Sequence, residues 1–147
     1  MPNLEDQASK YFKWKELLYL PTWSAYHVPS EIQISNLTQL AQKMDQIRDF
    51  LEHPINVLCA IRPQCADIPG NSFAGKNYNK LVGGAPGSAH LLGLAMDFTV
   101  SSIVCDEVRM LLEDQLEILQ IRMEKKPNSS WIHCDLYPPK PNRYFKP

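Results

Sequence analysis

The chain has 147 residues and a formal net charge of -1, with 44% hydrophobic and 21% charged residues. This length and composition predict one soluble globular domain, with residues 1–147 forming a single unit that we expect to be a monomer. The near-neutral charge argues against a nucleic-acid partner, because proteins that read phosphates carry a much larger basic surface. No segment approaches the roughly 20 apolar residues that a membrane span needs.

The first residues of the chain are polar and acidic, and they lack the basic start and apolar run of a secretory signal. We therefore expect synthesis in the cytoplasm, or export by a segment that has been removed. The four cysteines are sparse and form no Cys-x-x-Cys pair, which favours free thiols. The short separation of Cys59 and Cys65 leaves a disulfide between them as an alternative.

The first half of the chain predicts two helices and one strand. Residues 1–30 mix aromatic residues with prolines, which predicts a segment that wraps over a core and contains a short helix around Trp14–Tyr19. Apolar residues at steps of three and four predict a longer helix over 36–51, capped by Ser35 or Asn36. Pro54 then ends the helix, and the β-prone run Ile55–Ile61 predicts a strand.

The second half begins with a long connection over 62–90, which holds five of the six glycines. Loops of this length in compact domains are usually functional or disordered. Beyond it we expect a strand over Leu94–Val100, a helix over Val104–Leu119 that Ser101 or Ser102 caps, and an antiparallel pair of strands over Ile118–Glu124 and Trp131–Tyr137. This order predicts an α+β fold with a small, mostly antiparallel sheet flanked by helices.

Three residues in the second half have the chemistry of a metal site. Asp97 lies inside an apolar strand, where a buried carboxylate costs several kcal/mol unless it is paired or binds a metal. His133 interrupts another apolar run, and Gly93 permits a turn that returns His90 to Asp97. Adjacent strands lie ~4.8 Å apart, so His133 can join them. Two imidazoles and one carboxylate are the three protein ligands of a typical catalytic zinc site. The alternative is that these residues form a hydrogen-bonded cluster in the core.

The segment Ser88-x-His90-x-x-Gly93-x-Ala95-x-Asp97 resembles the SxHxxGxAxD motif of the zinc D-alanyl-D-alanine peptidases, the M15 family. Residues 79–84 resemble the NxxVGG segment of that family, and residues 11–17 resemble its short opening helix. Arg62 corresponds to the arginine of the family's SGYR segment, and His133 corresponds to its last zinc ligand. The similarity covers most of the chain.

The resemblance implies a small antiparallel sheet that carries one zinc ion per chain and is flanked by helices, a scaffold similar to the hedgehog domain and lysostaphin-type peptidases. It implies hydrolysis of peptidoglycan stem peptides by a zinc-activated water, as a D,D-carboxypeptidase or an endopeptidase. The implied zinc ligands are His90, Asp97 and His133. Such a protein acts on the cell wall, either as an enzyme released during phage lysis or as an exported bacterial protein.

The resemblance also implies roles for residues around the metal. Arg62 is expected to bind the substrate carbonyl or to stabilise the oxyanion. We expect Asn79 and Ser88 to contact the substrate as well. Trp131 is either a core residue or a platform for the substrate.

The chain departs from the family pattern at the general base. Some members have a glutamate three residues before the last ligand, where this chain has Ser130, and others have a histidine two residues before it, where this chain has Trp131. Asp135 shares a strand face with His133, and it is either the base, a partner that orients His133, or a surface residue.

Two further expectations concern the whole site. Relative to the family, residues 67–76 are an insertion in the loop before the motif, which is expected to narrow or lengthen the cleft. Because the motif bases are missing, an inactive zinc-containing binding module, or a phage structural and assembly module on the same fold, is the alternative to an enzyme.

Overall fold

A computed structural model describes all 147 residues. Five helices and seven strands follow one another along the chain, and two 3₁₀ turns lie at Pro21–Trp23 and Ala89–Leu92. The elements in chain order are α1 (Trp14–Leu18), β1 (Tyr19–Leu20), β2 (Ala25–Tyr26), α2 (Glu31–Leu51), β3 (Ile55–Cys59), α3 (Tyr78–Leu81), β4 (Ala95–Val100), α4 (Cys105–Glu113), α5 (Leu116–Leu119), β5 (Arg122–Glu124), β6 (Ile132–Asp135) and β7 (Tyr144–Phe145).

The central element is a five-stranded sheet with the strand order β3-β4-β6-β5-β7. All neighbouring strands are antiparallel except β5 and β7, which run parallel. The α+β fold with a small, mostly antiparallel sheet is therefore confirmed. The parallel strand β7 was not predicted, because the proline-rich carboxyl-terminal segment carries no alternating pattern.

The main hydrophobic core lies between one face of this sheet and the helices. Met96, Phe98 and Val100 project from β4 into it, and α2 contributes a buried stripe. Because side chains alternate along a strand, Ala95, Asp97 and Thr99 lie on the opposite face of β4. That second face carries the candidate site.

Helix α2 begins earlier than the apolar pattern predicted. Its N-cap is Ser30, whose hydroxyl accepts a hydrogen bond from the Gln33 amide, while the Gln33 side chain accepts one from the Ser30 amide. This capping box satisfies the amides of the first turn, so the helix starts a full turn before its apolar stripe. The predicted caps Ser35 and Asn36 are therefore wrong, whereas the predicted end at residue 51 is confirmed.

The predicted helix over Val104–Leu119 is two helices. The break falls at Asp114–Gln115, where the buried positions on both sides keep a helical spacing, so periodicity alone did not reveal it. Ser101 and Ser102 do not cap α4, since Val104 occupies the N-cap and Ser102 has a positive φ of 67°.

The last two predicted strands pair in the antiparallel sense expected, but they are shorter. Residues 118–119 stay in α5, and Gln120 ends that helix in the left-handed conformation, so β5 begins only at Arg122. At the other strand, β6 is limited to Ile132–Asp135.

The amino-terminal segment packs on the loop 67–76 rather than on the sheet alone. Ile61, Ile68 and Tyr78 form a second, smaller core with residues of β1 and β2, and Trp23 stacks on Phe73 with ring centroids 4.9 Å apart. Backbone hydrogen bonds between Ala66 and residues 75–76 close the base of the loop. The loop therefore forms a compact unit with the segment that precedes α2.

All four cysteines are free thiols, so Cys59 and Cys65 do not form the disulfide left as an alternative. None of the helices combines the length and the apolar character that crossing a membrane requires.

Candidate metal centre

The three predicted ligands meet on the face of the sheet that points away from the main hydrophobic core, called the open face below. Asp97 on β4 and His133 on β6 are direct cross-strand partners. His90 lies in the 3₁₀ turn before β4, and Gly93 ends that turn with a φ of 71°. A Cβ atom on Gly93 would lie 2.8 Å from Leu37 Cγ, so a glycine is required both by the backbone angle and by the close approach of α2.

Both imidazoles point at the same carboxylate oxygen. His133 Nδ1 lies 2.9 Å from Asp97 Oδ1, and His90 Nε2 lies 3.2 Å from it. The three candidate ligand atoms lie within 4.8 Å of one another. His90 is fully buried, whereas the side chains of Asp97 and His133 retain 14% and 13% of their exposure, so the cluster opens to one side.

The remaining ring nitrogens are held by the protein. His90 Nδ1 lies 3.1 Å from the Ala60 carbonyl oxygen, which only accepts hydrogen bonds, so Nδ1 carries the hydrogen and Nε2 keeps its lone pair. His133 Nε2 lies 3.0 Å from Asp135 Oδ2, so this nitrogen donates to the carboxylate and Nδ1 is directed towards Asp97. Each ring is thus oriented by a partner outside the cluster.

The pKa values reflect a negative charge held between two rings. Burial disfavours the charged form of Asp97, but the hydrogen bond with His133 favours it, and the pKa of Asp97 lies well below the usual range. Burial lowers the pKa of His133, but hydrogen bonds to Asp135 and Asp97 dominate and raise it to about 9. Burial lowers the pKa of His90, which stays neutral.

The donor set fits a zinc ion. Two imidazole nitrogens and one carboxylate oxygen are the ligands that catalytic zinc sites use, with a fourth position left open. His90 Nε2 is buried and receives no hydrogen bond, because the Asp97 oxygen 3.2 Å away is a carboxylate and has no hydrogen to donate. A buried lone pair without a donor is costly, and a metal ion bound to it would remove this cost. The high pKa of His133 means that metal binding would displace a proton from Nδ1.

Asp135 lies behind His133 and is almost completely buried, at 1% exposure. Arg122 binds it with two hydrogen bonds, from Nε at 2.7 Å and from Nη2 at 2.8 Å. The Tyr137 amide donates to it as well, at 3.0 Å. Both oxygens of Asp135 are therefore occupied, and the carboxylate is placed to orient His133 rather than to reach a water in the cleft.

Arg62 and Ser88 lie together at the edge of the cluster. Arg62 Nη2 donates to Ser88 Oγ at 3.1 Å, and the Arg62 amide donates to the His90 carbonyl at 3.0 Å. Ser88 Oγ also accepts from the His90 amide as the cap of the 3₁₀ turn. The guanidinium is thus fixed against the same turn that carries His90.

The predicted substrate contacts Asn79 and Trp131 lie in different environments. Asn79 is buried beneath the rim, where its Nδ2 donates to the Ala85 carbonyl at 3.0 Å and its Oδ1 leaves no room for a side chain at Gly84. Trp131 is 39% exposed and lines the cleft, with Lys126 Nζ 5.1 Å from its ring centroid. The geometry therefore supports a rim-shaping role for Asn79 and a contact surface for Trp131.

The cluster lies in a cleft of about 500 Å³, which falls in the range of ligand sites. Its walls come from the segment 82–89, from β5 and β6, and from the carboxyl-terminal residues. Residues 67–76 do not line it, so this loop does not narrow the cleft directly. A neighbouring cavity of about 390 Å³ shares Gly87, Ser88 and Tyr137 with the cleft.

The sequence analysis missed the cleft residues contributed by β5 and β7, which are Arg122, Glu124 and Phe145. All three belong to the strands β5 and β7, beyond the motif segment. Strand alternation placed Arg122 and Glu124 on one face of β5, but only the register of β5 with β6 shows that this face is the one that carries His133.

The family model for Peptidase M15 matches residues 10–135. The chain belongs to the M15 peptidase family. The matched region contains the whole His90, Asp97 and His133 cluster, and M15 peptidases are generally zinc-dependent. No curated protein and no solved structure matched the chain. Membership in the M15 family therefore rests on the family model, and the structure adds the geometry of the site.

Proposed function

We propose that this M15 protein is a zinc metallopeptidase that hydrolyses peptide bonds in bacterial peptidoglycan stem peptides. The observation that carries the proposal is the convergence of His90, Asp97 and His133 around one point on the open face of the sheet. The family match supports peptide hydrolysis, and the resemblance of residues 79–97 to the D-alanyl-D-alanine peptidases supports the substrate class.

The residues around the cluster support this chemistry. When bound, zinc supplies Lewis acidity and makes water a nucleophile near neutral pH. Asp135 orients the His133 ring, and the Ala60 carbonyl orients the His90 ring. Arg62 lines the cleft beside Ser88 and provides a fixed positive charge for the oxygen of a peptide carbonyl that gains negative charge during attack. Trp131 offers an exposed ring to the substrate.

The metal assignment is tested by elemental analysis. We expect about one zinc per chain, as a single site of this type requires. His90→Ala should lose the metal, and His53→Ala is a matched control, because His53 lies at the end of α2 and does not line the cleft. A His90→Ala protein with full zinc content would contradict the ligand assignment.

The activity is tested with purified muropeptides, incubated with and without a chelator and analysed by mass spectrometry. We expect the mass of the muropeptide to fall by the mass of a released amino acid or peptide. The chelator should prevent this cleavage, and added zinc should restore it. Ser130 and Trp131 stand where other family members have a glutamate or a histidine as the general base. This difference favours the alternative of a non-catalytic zinc module. Zinc binding without any turnover of D-amino-acid peptides would support that alternative.

A further inference from the structure

One row of side chains crosses the open face of the sheet. Asp97 on β4 pairs with His133 on β6, and Glu124 on β5 pairs with Phe145 on β7. The register of β5 with β6 pairs Met123 with Cys134, so one further step along this antiparallel ladder brings Glu124 opposite His133. Directly opposed residues have Cβ atoms about 4.5–5.5 Å apart. The row therefore places a carboxylate beside a candidate zinc ligand.

Glu124 is the only acidic side chain of the cleft that is free to act. Three acidic side chains line the cleft: Asp97, Asp135 and Glu124. Asp97 belongs to the candidate ligand set, and Asp135 accepts hydrogen bonds with both oxygens. The Glu124 side chain is partly exposed, and its carboxylate makes no hydrogen bond or ion pair within the protein. A carboxylate in this state can accept a proton from a water molecule in the cleft.

The other groups of the cleft are less suited to general-base chemistry. Arg62 and Arg122 are permanent cations, and Lys126 has no lone pair while it is protonated. The only histidine that lines the cleft is His133, whose two nitrogens face carboxylates. Among the side chains that line the cleft, Glu124 is therefore the one whose position and chemistry suit a general base.

We propose that Glu124 is the general base of this peptidase, supplied by the neighbouring strand β5 in place of the motif bases absent at Ser130 and Trp131. This inference rests on the proposed function. In the reaction, the Glu124 carboxylate takes one proton from the attacking water as the water oxygen bonds to the carbonyl carbon. The C–N bond then breaks, and Glu124 returns the proton to the leaving nitrogen, so peptide and water give one carboxylic acid and one amine.

The position of Phe145 supports this role. Phe145 lies beside Glu124 in the row, its ring centroid is 6.2 Å from that of His133, and the Arg122 guanidinium lies 4.2 Å from the Phe145 centroid. The ring therefore covers one side of the row. An apolar neighbour reduces the access of bulk water to Glu124, which favours proton transfer to the carboxylate over exchange with solvent.

The test compares Glu124→Gln with the wild type in three measurements: kcat and KM on a stem peptide, zinc affinity by chelator competition, and thermal unfolding. General-base catalysis contributes typically about 10²–10⁴-fold, so we expect kcat to fall by that factor with KM little changed. Zinc affinity and unfolding temperature should stay as in the wild type, because Gln keeps the shape of Glu and neither oxygen contacts a ligand. Glu124→Asp, which retains the carboxylate, should recover part of the rate.

A matched control is Glu52→Gln, which removes an exposed carboxylate at the end of α2 that does not line the cleft. It should leave all three quantities unchanged. A wild-type kcat in Glu124→Gln would overturn the inference, and so would a loss of zinc affinity equal to the loss of rate. If the zinc-loaded wild type cleaves no peptide, the proposed function and this inference are both wrong. If the wild type is active and Glu124→Gln is equally active, only the assignment of Glu124 is wrong.

Discussion

The two imidazoles of the site are held by different parts of the chain and present different nitrogens. His90 donates from Nδ1 to a backbone carbonyl and leaves Nε2 free, whereas His133 donates from Nε2 to Asp135 and directs Nδ1 inwards. The carbonyl is neutral and the carboxylate is charged, so the two rings differ in basicity before any metal binds. Burial keeps the pKa of His90 low, and the carboxylates raise that of His133 to about 9.

Asp135→Asn is predicted to weaken zinc affinity by roughly 10–100-fold, the usual cost of losing a partner that orients a metal ligand. Asparagine keeps the size of the side chain but not its charge, so it interacts more weakly with His133 and with Arg122. Zinc affinity is measured by chelator competition, and turnover should recover when zinc is in excess. Loss of turnover at saturating zinc, with normal affinity, would instead identify Asp135 as the base.

Arg62→Ala is predicted to lower kcat by about 10²–10³-fold, the typical cost of removing one oxyanion donor. Arg62 is fixed to Ser88 and lines the cleft, but it does not belong to the metal cluster, so zinc content should not change. Steady-state kinetics and metal analysis on the same preparation check both points. A mutant with wild-type turnover would show that the guanidinium does not stabilise the reacting carbonyl.

At the level of elements, the turn between His90 and β4 controls the geometry of the site. Gly93→Ala is predicted to destabilise the protein by about 1–3 kcal/mol. The added methyl group would overlap Leu37, and the alanine would have to adopt a positive φ. Gly75→Ala is a matched control with a similar φ of 74° and open space around it. Denaturant unfolding of both variants separates the clash from the backbone strain, and equal losses would show that the contact with α2 is unimportant.

A second element-level feature is the buried His27, which links α2 to the loop 67–76. The Asp67 amide donates to His27 Nδ1 at 3.2 Å, so His27 Nε2 carries the hydrogen and donates to Gln33 Oε1 at 3.0 Å. Burial lowers the pKa of His27, and the contact with Gln33 opposes this only in part. Protonation of Nδ1 would remove the acceptor of the Asp67 amide.

The stability that His27 contributes is predicted to fall at acidic pH. Its pKa is lower in the folded state than in the unfolded chain, where it is about 6.5, so the folded state binds fewer protons. The contribution is complete above the unfolded pKa and is lost as pH falls below it. The difference in unfolding free energy between wild type and His27→Gln should therefore shrink from pH 7 to pH 5. A difference that is independent of pH would contradict this.

The elements also show what the sequence can predict. The cluster of His90, Asp97 and His133 could be predicted, because Asp97 is a carboxylate within an apolar strand and because the motif that contains His90 and Asp97 is local in sequence. The start of α2 was missed because its cap precedes the apolar stripe, although the Ser30–Gln33 pair is itself a readable capping box. Arg122 and Glu124 were missed because their place in the site depends on strand register, which one sequence does not specify when a segment has only three strand residues.

At the scale of the whole molecule, the cleft continues beyond the metal cluster. Gly87, Ser88 and Tyr137 form a shared wall between the cleft and the neighbouring cavity, and the Tyr137 hydroxyl lies 3.4 Å from the Gly87 carbonyl across it. No charged side chain lines the neighbouring cavity, where the other residues are Gln33, Pro63, Gln64, Cys65, Leu91 and Leu92. A neutral cavity offers no partner for a terminal carboxylate and suits an uncharged, internal stretch of peptide.

Peptides that extend on both sides of the cleaved bond are therefore predicted to be better substrates than peptides cut at their last residue. We expect kcat/KM to rise by about tenfold or more on extension, equivalent to about 1.4 kcal/mol of added binding in the transition state. The measurement is a series of stem peptides with the same scissile bond and increasing length on either side. Equal kcat/KM across the series would contradict an extended binding cleft.

Cys65 allows the cavity to be blocked selectively, because it is the one exposed cysteine and lines the cavity. Modification with a bulky maleimide should remove the gain from extension on one side of the bond, while the shortest peptide is cleaved at its original rate. Cys65→Ser, treated with the same reagent, controls for reaction at the partly buried Cys59 and Cys105. If the label slows short and long peptides equally, it acts on the metal cleft as a whole, and the cavity does not hold a separate part of the substrate.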